Sequence, residues 1–148
     1  MYNKKYYRDR KNQAWNGWFY SMQRMDLLVI SISGAGLYLI IETLKFSRIN
    51  LLPSLCILKV AGFSFVIAII ANFLSQHFGK KSNYYDIIMC DEVLSNEEIS
   101  NINSNAEYVK YDNLAEEYSI LTKKWNVFSW SIMLLAVIVV LIYFCIIF

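Results

Sequence analysis

Three cysteines, one histidine and a short acidic run are the residues of this chain whose types could do chemistry. Cys56, Cys90 and Cys145 are scattered without metal-ligand spacing, which argues against a zinc site or a disulfide framework. His77 has no second imidazole to share a metal or relay a proton. Asp91, Glu92, Glu97 and Glu98 are the densest carboxylates. A calcium loop drawn from Asn96 to Glu107 puts Asn101 at the sixth position, where the sharp turn needs Gly, and supplies too few carboxylates. The bland reading is a solvated helix end, acids being favourable near a helix N-terminus. No Gly-rich phosphate loop, Gly-x-Ser-x-Gly elbow or His-Glu-x-x-His is present. The expectation is a protein that is not an enzyme and carries no cofactor and no metal. A net charge of +2 gives no reason to expect nucleic acid as a partner.

The elements that must hold such residues are set by the apolar excess. Of the 148 residues, 57% are hydrophobic and 18% charged, below the roughly 25% of an ordinary soluble domain. Lys59 and Lys80 enclose 20 residues without a charge, and no charged side chain follows Lys124. A soluble chain of this length cannot bury several helices of that kind on every side. The sequence therefore predicts an all-α integral membrane protein with three transmembrane helices, and a cytosolic helical hairpin between spans two and three.

Residues 1–25 are basic and aromatic, with Trp15, Trp18, Phe19, Met22 and Met25 near one helical face. Two readings stand side by side: a helix in the membrane interface anchored by Trp15 and Trp18, or a leader whose aromatics pack on the rest of the cytosolic part. It is too long and too Trp-rich ahead of the apolar run for a signal peptide. The first span is read at 26–44, with Asp26, Glu42 and Lys45 near the interfaces. Its middle gathers Ser31, Ser33, Gly34, Ala35 and Gly36, small residues that let helices approach closely in lipid. A turn is expected from Phe46 to the only proline, Pro53.

The second span is read at 55–75, with Asn72, Gln76 and His77 crowding its far end. His77 reads as an interfacial anchor, or as a pH-sensitive group at a pore mouth. Residues 76–125 form the cytosolic hairpin, with a turn in the Asn- and Ser-rich stretch from Asn96 to Asn105. Ser95 with Glu98, and Ser104 with Glu107, have capping-box spacing. Tyr111, Leu114, Tyr118, Leu121 and Trp125 alternate spacings of three and four, a seam for cytosolic assembly. The alternation continues through Phe128, Ile132, Leu135, Val139 and Ile142. The third span, 126–148, has 23 uncharged residues, with Trp130 as an interfacial anchor.

Lys and Arg counts set the expected orientation. The leader has six and the middle segment five, against three (Lys45, Arg48, Lys59) on the other side. This puts the N-terminus in the cytoplasm and the C-terminus outside, in the inner (plasma) membrane. No ionisable residue falls at mid-span, so one copy cannot line a polar path through its own core. Any path forms between copies or by membrane thinning, with Ser31, Ser33, the span-one glycines and Asn72 as its polar lining.

The stretch Tyr6-Tyr7-Arg8-Asp9-Arg10-Lys11-Asn12-Gln13-Ala14-Trp15, leading through Arg24 into a tight two-span hairpin and a following helix, resembles the SLATT-type membrane effectors of bacterial conflict systems. The resemblance covers about four-fifths of the chain and lies in layout; the third span departs from it. It implies a pore-forming or membrane-perturbing effector, triggered by an associated sensor. The expected partners are the lipid bilayer, further copies of the chain, and a cytosolic sensor or other protein subunit. A non-catalytic accessory subunit of a larger membrane complex and a holin-like protein are the alternatives.

Overall fold

Backbone groups inside a bilayer find no water to bond, so a charge-free run of spanning length must satisfy itself as helix. In the computed structural model every described residue is helical; residues 4–23, 27–50, 55–95 and 106–147 are described. The four helices are α1 (Lys4–Gln23), α2 (Leu27–Asn50), α3 (Leu55–Ser95) and α4 (Ala106–Ile147). Three of them, α2, α3 and α4, are long and apolar enough to cross a membrane. At 41 and 42 residues, α3 and α4 are each about 60 Å long, twice the roughly 30 Å of a hydrocarbon core. Their surplus length carries the charged side chains.

Helix α2 runs on through Phe46 to Asn50, so the turn expected from Phe46 starts no earlier than residue 51. Proline excludes the α conformation only from the residue before it, which leaves Phe46 to Asn50 free to continue. Lys45 pairs with Glu42 at 2.7 Å one turn back, on the exposed side of the same stretch. Pro53, and the turn expected between Asn96 and Asn105 with Glu97, Glu98 and Asn101, lie outside the described residues.

Contacts divide the chain into two units, a charged one (Met1–Met25 with Leu74–Lys124) and an apolar one (Asp26–Phe73 with Trp125–Phe148). Helices α3 and α4 contribute to both. In the apolar unit, Val29 and Ile40 of α2, Leu58, Phe65 and Ala68 of α3, and Met133, Ala136 and Tyr143 of α4 form one core. Large apolar side chains also face outward from it: Phe63 is 72% and Val127 67% exposed. Helices apolar on every side suit a membrane span.

The α3–α4 contact runs through small residues at seven-residue intervals. On α4 these are Ala115, Thr122, Ser129 and Ala136, and on α3 Ala61, Ala68, Ser75 and Ser82. In the charged unit, Ser75 Oγ donates to the Thr122 carbonyl at 3.0 Å and Ser82 Oγ to the Ala115 carbonyl at 2.8 Å. In the apolar unit, Ser129 Oγ donates to the Ala68 carbonyl at 2.8 Å. A seven-residue period keeps one face of each helix on its partner. This seam lies one residue along from the one that the large side chains of α4 predict. Ala115, Ser129 and Ala136 are buried, whereas Phe128, Leu135 and Ile142 are exposed. Small residues permit close approach along the whole seam, and in lipid, where no hydrophobic drive acts between helices, such approach decides the interface.

Candidate functional site

Two places combine an unusual residue pattern with a defined geometry, one in each unit. In the charged unit, α1 lies against α3 and α4. Its inward face is Tyr7, Arg10, Lys11, Ala14, Gly17 and Trp18, and of these only Ala14 is fully buried. The contacts are otherwise polar. Arg10 reaches Asp86 at 2.8 Å and Asp112 at 3.3 Å, and Lys11 pairs with Asp91. A Cβ on Gly17 would stand 3.0 Å from Asn83 Oδ1, so α1 and α3 approach closely here. Lys80 Nζ sits over the Trp18 ring at 5.4 Å. Pairs run antiparallel: Arg10 meets Asp86, Gly17 meets Asn83 and Trp18 meets Lys80.

Around Arg10 opens a polar cavity of about 340 Å³, lined also by Ser82, Asn83, Asp86, Asp112 and Glu116. Burial raises the Asp86 carboxyl above its ordinary pKa, against the pull of Arg10 beside it. Burial also works against the Arg10 charge, but the acidic groups around it, Asp86 foremost and Asp112 with it, together outweigh burial and raise the pKa of the guanidinium. The cavity is thus lined by a cation held between two acids. Among the described residues no group of His, Cys, Asp and Glu is arranged to hold a metal ion.

The interpretation of the leader changes with this geometry. The face that packs mixes polar, small and aromatic residues, with Tyr7 and Trp18 half-buried on it, while Trp15 and Phe19 remain exposed. Trp15 and Trp18 stack edge-on at 5.6 Å, and Trp15 lies over Phe19 at 5.8 Å. The side chains of Met22 and Met25 are outside the described residues.

The predicted assembly seam, Tyr111, Leu114, Tyr118, Leu121 and Trp125, is half-buried throughout. Two of its rings are engaged within the chain. Tyr85 of α3 stacks on Tyr111 at 6.3 Å and on Tyr118 at 5.5 Å, and Phe78 stacks on Tyr118 at 6.1 Å. Lys81 adds a cation over Tyr118 at 5.2 Å. His77 is exposed, beside Phe78.

In the apolar unit the small residues of α2 separate onto two faces. Gly36 turns inward, where a Cβ would fall 2.6 Å from the Phe65 ring. Ser33 is fully buried, and its hydroxyl has no hydrogen-bond partner among the described residues. Ser31, Gly34 and Ala35 are exposed, and a Cβ on Gly34 would meet nothing within 4 Å. Asn72 is buried on α3, and Trp130 is half-buried against the core. The spacing of large residues points to none of Arg10, Asp86 and Asp112. The available signal was a charge at Asp86 within a stripe of small and apolar residues, Ser75, Ser82, Met89 and Val93. Comparison of the chain with protein-family models, with curated proteins and with solved structures returns no match.

Burial also holds two further groups of the charged unit in their neutral forms. The Cys90 thiol is pushed up to about 12 by burial and then by Asp86. The Tyr108 phenol is pushed up to about 12 by burial and a hydrogen bond with Tyr7. Their ordinary values are 9.0 and 10.0, so between those values and about 12 the folded chain holds protons that the unfolded chain has lost. The stability these groups contribute is fully present below pH 9 and is lost as pH rises toward 12. Thermal unfolding in detergent, followed by circular dichroism, is expected to shift to lower temperature across that window. Cys90→Ala should flatten the first part of the fall.

Proposed function

We propose that the protein is a small inner-membrane effector that homo-oligomerises and opens or perturbs the bilayer, as the SLATT-like layout implies for bacterial, anti-phage defence. The observation that carries this reading is the outward small-residue face of α2: Ser31, Gly34 and Ala35 are exposed on a helix of spanning length. The most apolar stretch of α2 is 17% buried, against 39% in α3 and 28% in α4, so α2 has the most surface left for a neighbour. Small residues there admit close contact in lipid. The N-terminus and the charged unit lie in the cytoplasm on this reading, where the basic side chains are concentrated, and a cytosolic sensor acts on that unit. The test is dye leakage from vesicles containing the purified full chain, together with its size in detergent. A defined oligomer and leakage that rises with protein density are expected. Tight vesicles at high density overturn the reading, and a monomer in detergent points instead to a subunit of a larger complex.

A further inference from the structure

We propose that α1 is a latch that the charged unit and an anionic lipid surface compete to hold. Arg10 and Lys11 bind the carboxylates of Asp86, Asp112 and Asp91 in the latched state, and lipid phosphates replace those carboxylates in the released state. The inference rests on α2, α3 and α4 crossing a membrane and is independent of whether the protein forms a pore.

The way α1 is held carries the first part. Ala14 is its one buried hydrophobic residue among those described, and its inward contacts include the ion pairs of Arg10 and Lys11, a close approach at Gly17, one cation over Trp18 and a hydrogen bond between Tyr7 and Tyr108. Side chains in the three ion pairs keep between 20% and 52% of their surface exposed. Pairs that open to solvent are screened and weak. Such pairs yield to a competing anion that also offers the rest of the helix a surface to contact.

What α1 leaves outside identifies that competitor. Trp15, Phe19 and Tyr20 are exposed on it, and Lys5 and Arg8 are exposed nearer its start. Arg8, Asn12, Trp15 and Phe19 follow at intervals of four, three and four, which is one flank of a helix. Cations beside indole and phenyl rings suit the boundary between headgroups and acyl chains. Only residues 24–26 separate α1 from α2, an apolar helix of spanning length. Between Lys4 and Lys11 there are five basic residues and one acid, Asp9, so release turns a locally neutralised segment into a strongly cationic one. An anionic leaflet attracts each of those cations. The carboxylates of Asp86, Asp91 and Asp112 occupy Arg10 and Lys11 in the place of lipid phosphate.

The experiment uses the full chain with Gly17→Cys and Asn83→Cys, on a Cys56→Ser, Cys90→Ala, Cys145→Ser background. The pair is chosen because a Cβ on Gly17 stands 3.4 Å from Asn83 Cγ. In phosphatidylcholine vesicles the disulfide is expected to form readily. In vesicles half of phosphatidylglycerol at low salt its yield is expected to fall several-fold, and Arg8→Gln with Lys5→Gln should restore it. A nitroxide at Asn12→Cys gives a second readout: it should move from water-accessible to oxygen-accessible with the anionic lipid. Equal yields in both lipids, or a nitroxide unmoved between them, overturn the proposal. Failure of the disulfide in phosphatidylcholine overturns the latched state itself. None of these readouts depends on leakage, so the pore reading stands or falls separately.

Discussion

Gly36→Leu is expected to break the pairing of α2 with α3, while Gly34→Leu, two residues away, leaves the fold intact. At Gly36 a Cβ would lie 2.6 Å from the Cε2 and Cζ atoms of Phe65. That ring is 1% exposed and belongs to the core, so it has no open space into which to turn. Overpacking of this kind costs about 3 kcal/mol where neighbours cannot shift. A further side chain beyond Cβ makes the clash worse. At Gly34 a Cβ meets nothing within 4 Å, and the residue is exposed. Titration with dodecyl sulfate in mixed micelles, followed by circular dichroism, should therefore show a large loss of midpoint for Gly36→Leu. For Gly34→Leu it should show a change within about 0.5 kcal/mol, as for most outward positions. The same two variants separate folding from assembly. If the outward face of α2 joins copies, Gly34→Leu abolishes leakage and the oligomer while keeping the monomer's stability. Leakage unchanged in that variant removes the face from the account.

The second large effect is expected at Ala136. Ala136→Leu should destabilise the apolar unit by about 2 kcal/mol or more, and Leu135→Ala should leave its stability nearly unchanged. Ala136 is fully buried in the core with Met133 and Tyr143, in the seven-residue series of Ala115, Thr122 and Ser129. Its small side chain is what brings α4 close to its partner, as the hydrogen bond from Ser129 Oγ to the Ala68 carbonyl records at 2.8 Å. Leu135 is 57% exposed and touches lipid on the membrane reading. Unfolding of the two variants in mixed micelles decides between the seams. A costly Leu135→Ala and a harmless Ala136→Leu would mean that the large residues, not the small ones, line the contact.

That pair of residues shows how far the pattern of large side chains can be read. In water a period of three and four in Leu, Tyr and Trp marks the buried face, because burial of apolar area drives packing. After Lys124 nearly every residue of α4 is apolar, so the period is satisfied by several faces and loses its meaning. The small residues at 115, 122, 129 and 136 carried the register instead. In the charged unit the large seam retained part of its meaning: Tyr111 and Tyr118 stack on Tyr85 of α3 within the same chain. Its half-buried side chains still leave surface for a partner.

The leader follows the same logic from the other side. Its aromatic spacing is plain in Trp15, Trp18 and Phe19, yet of these only Trp18 shares the face that packs, with Arg10, Ala14 and Gly17. Acids far along the chain, Asp86, Asp91 and Asp112, select that face. A hydrophobic period within residues 1–25 contains no trace of them.

Absence of charge by itself determined that this chain has three helices able to cross a bilayer and that α3 and α4 extend beyond the length a bilayer needs. Those conclusions depend on what one segment costs to expose or bury, a quantity summed residue by residue along it. Only the tertiary structure decided which faces meet: the inward turn of Gly36 and the outward one of Gly34, the one-residue shift of the α4 seam, and the grip of Asp86 and Asp112 on Arg10. These depend on pairs of residues distant in the chain, and on how closely two backbones can approach once neither has water to exclude.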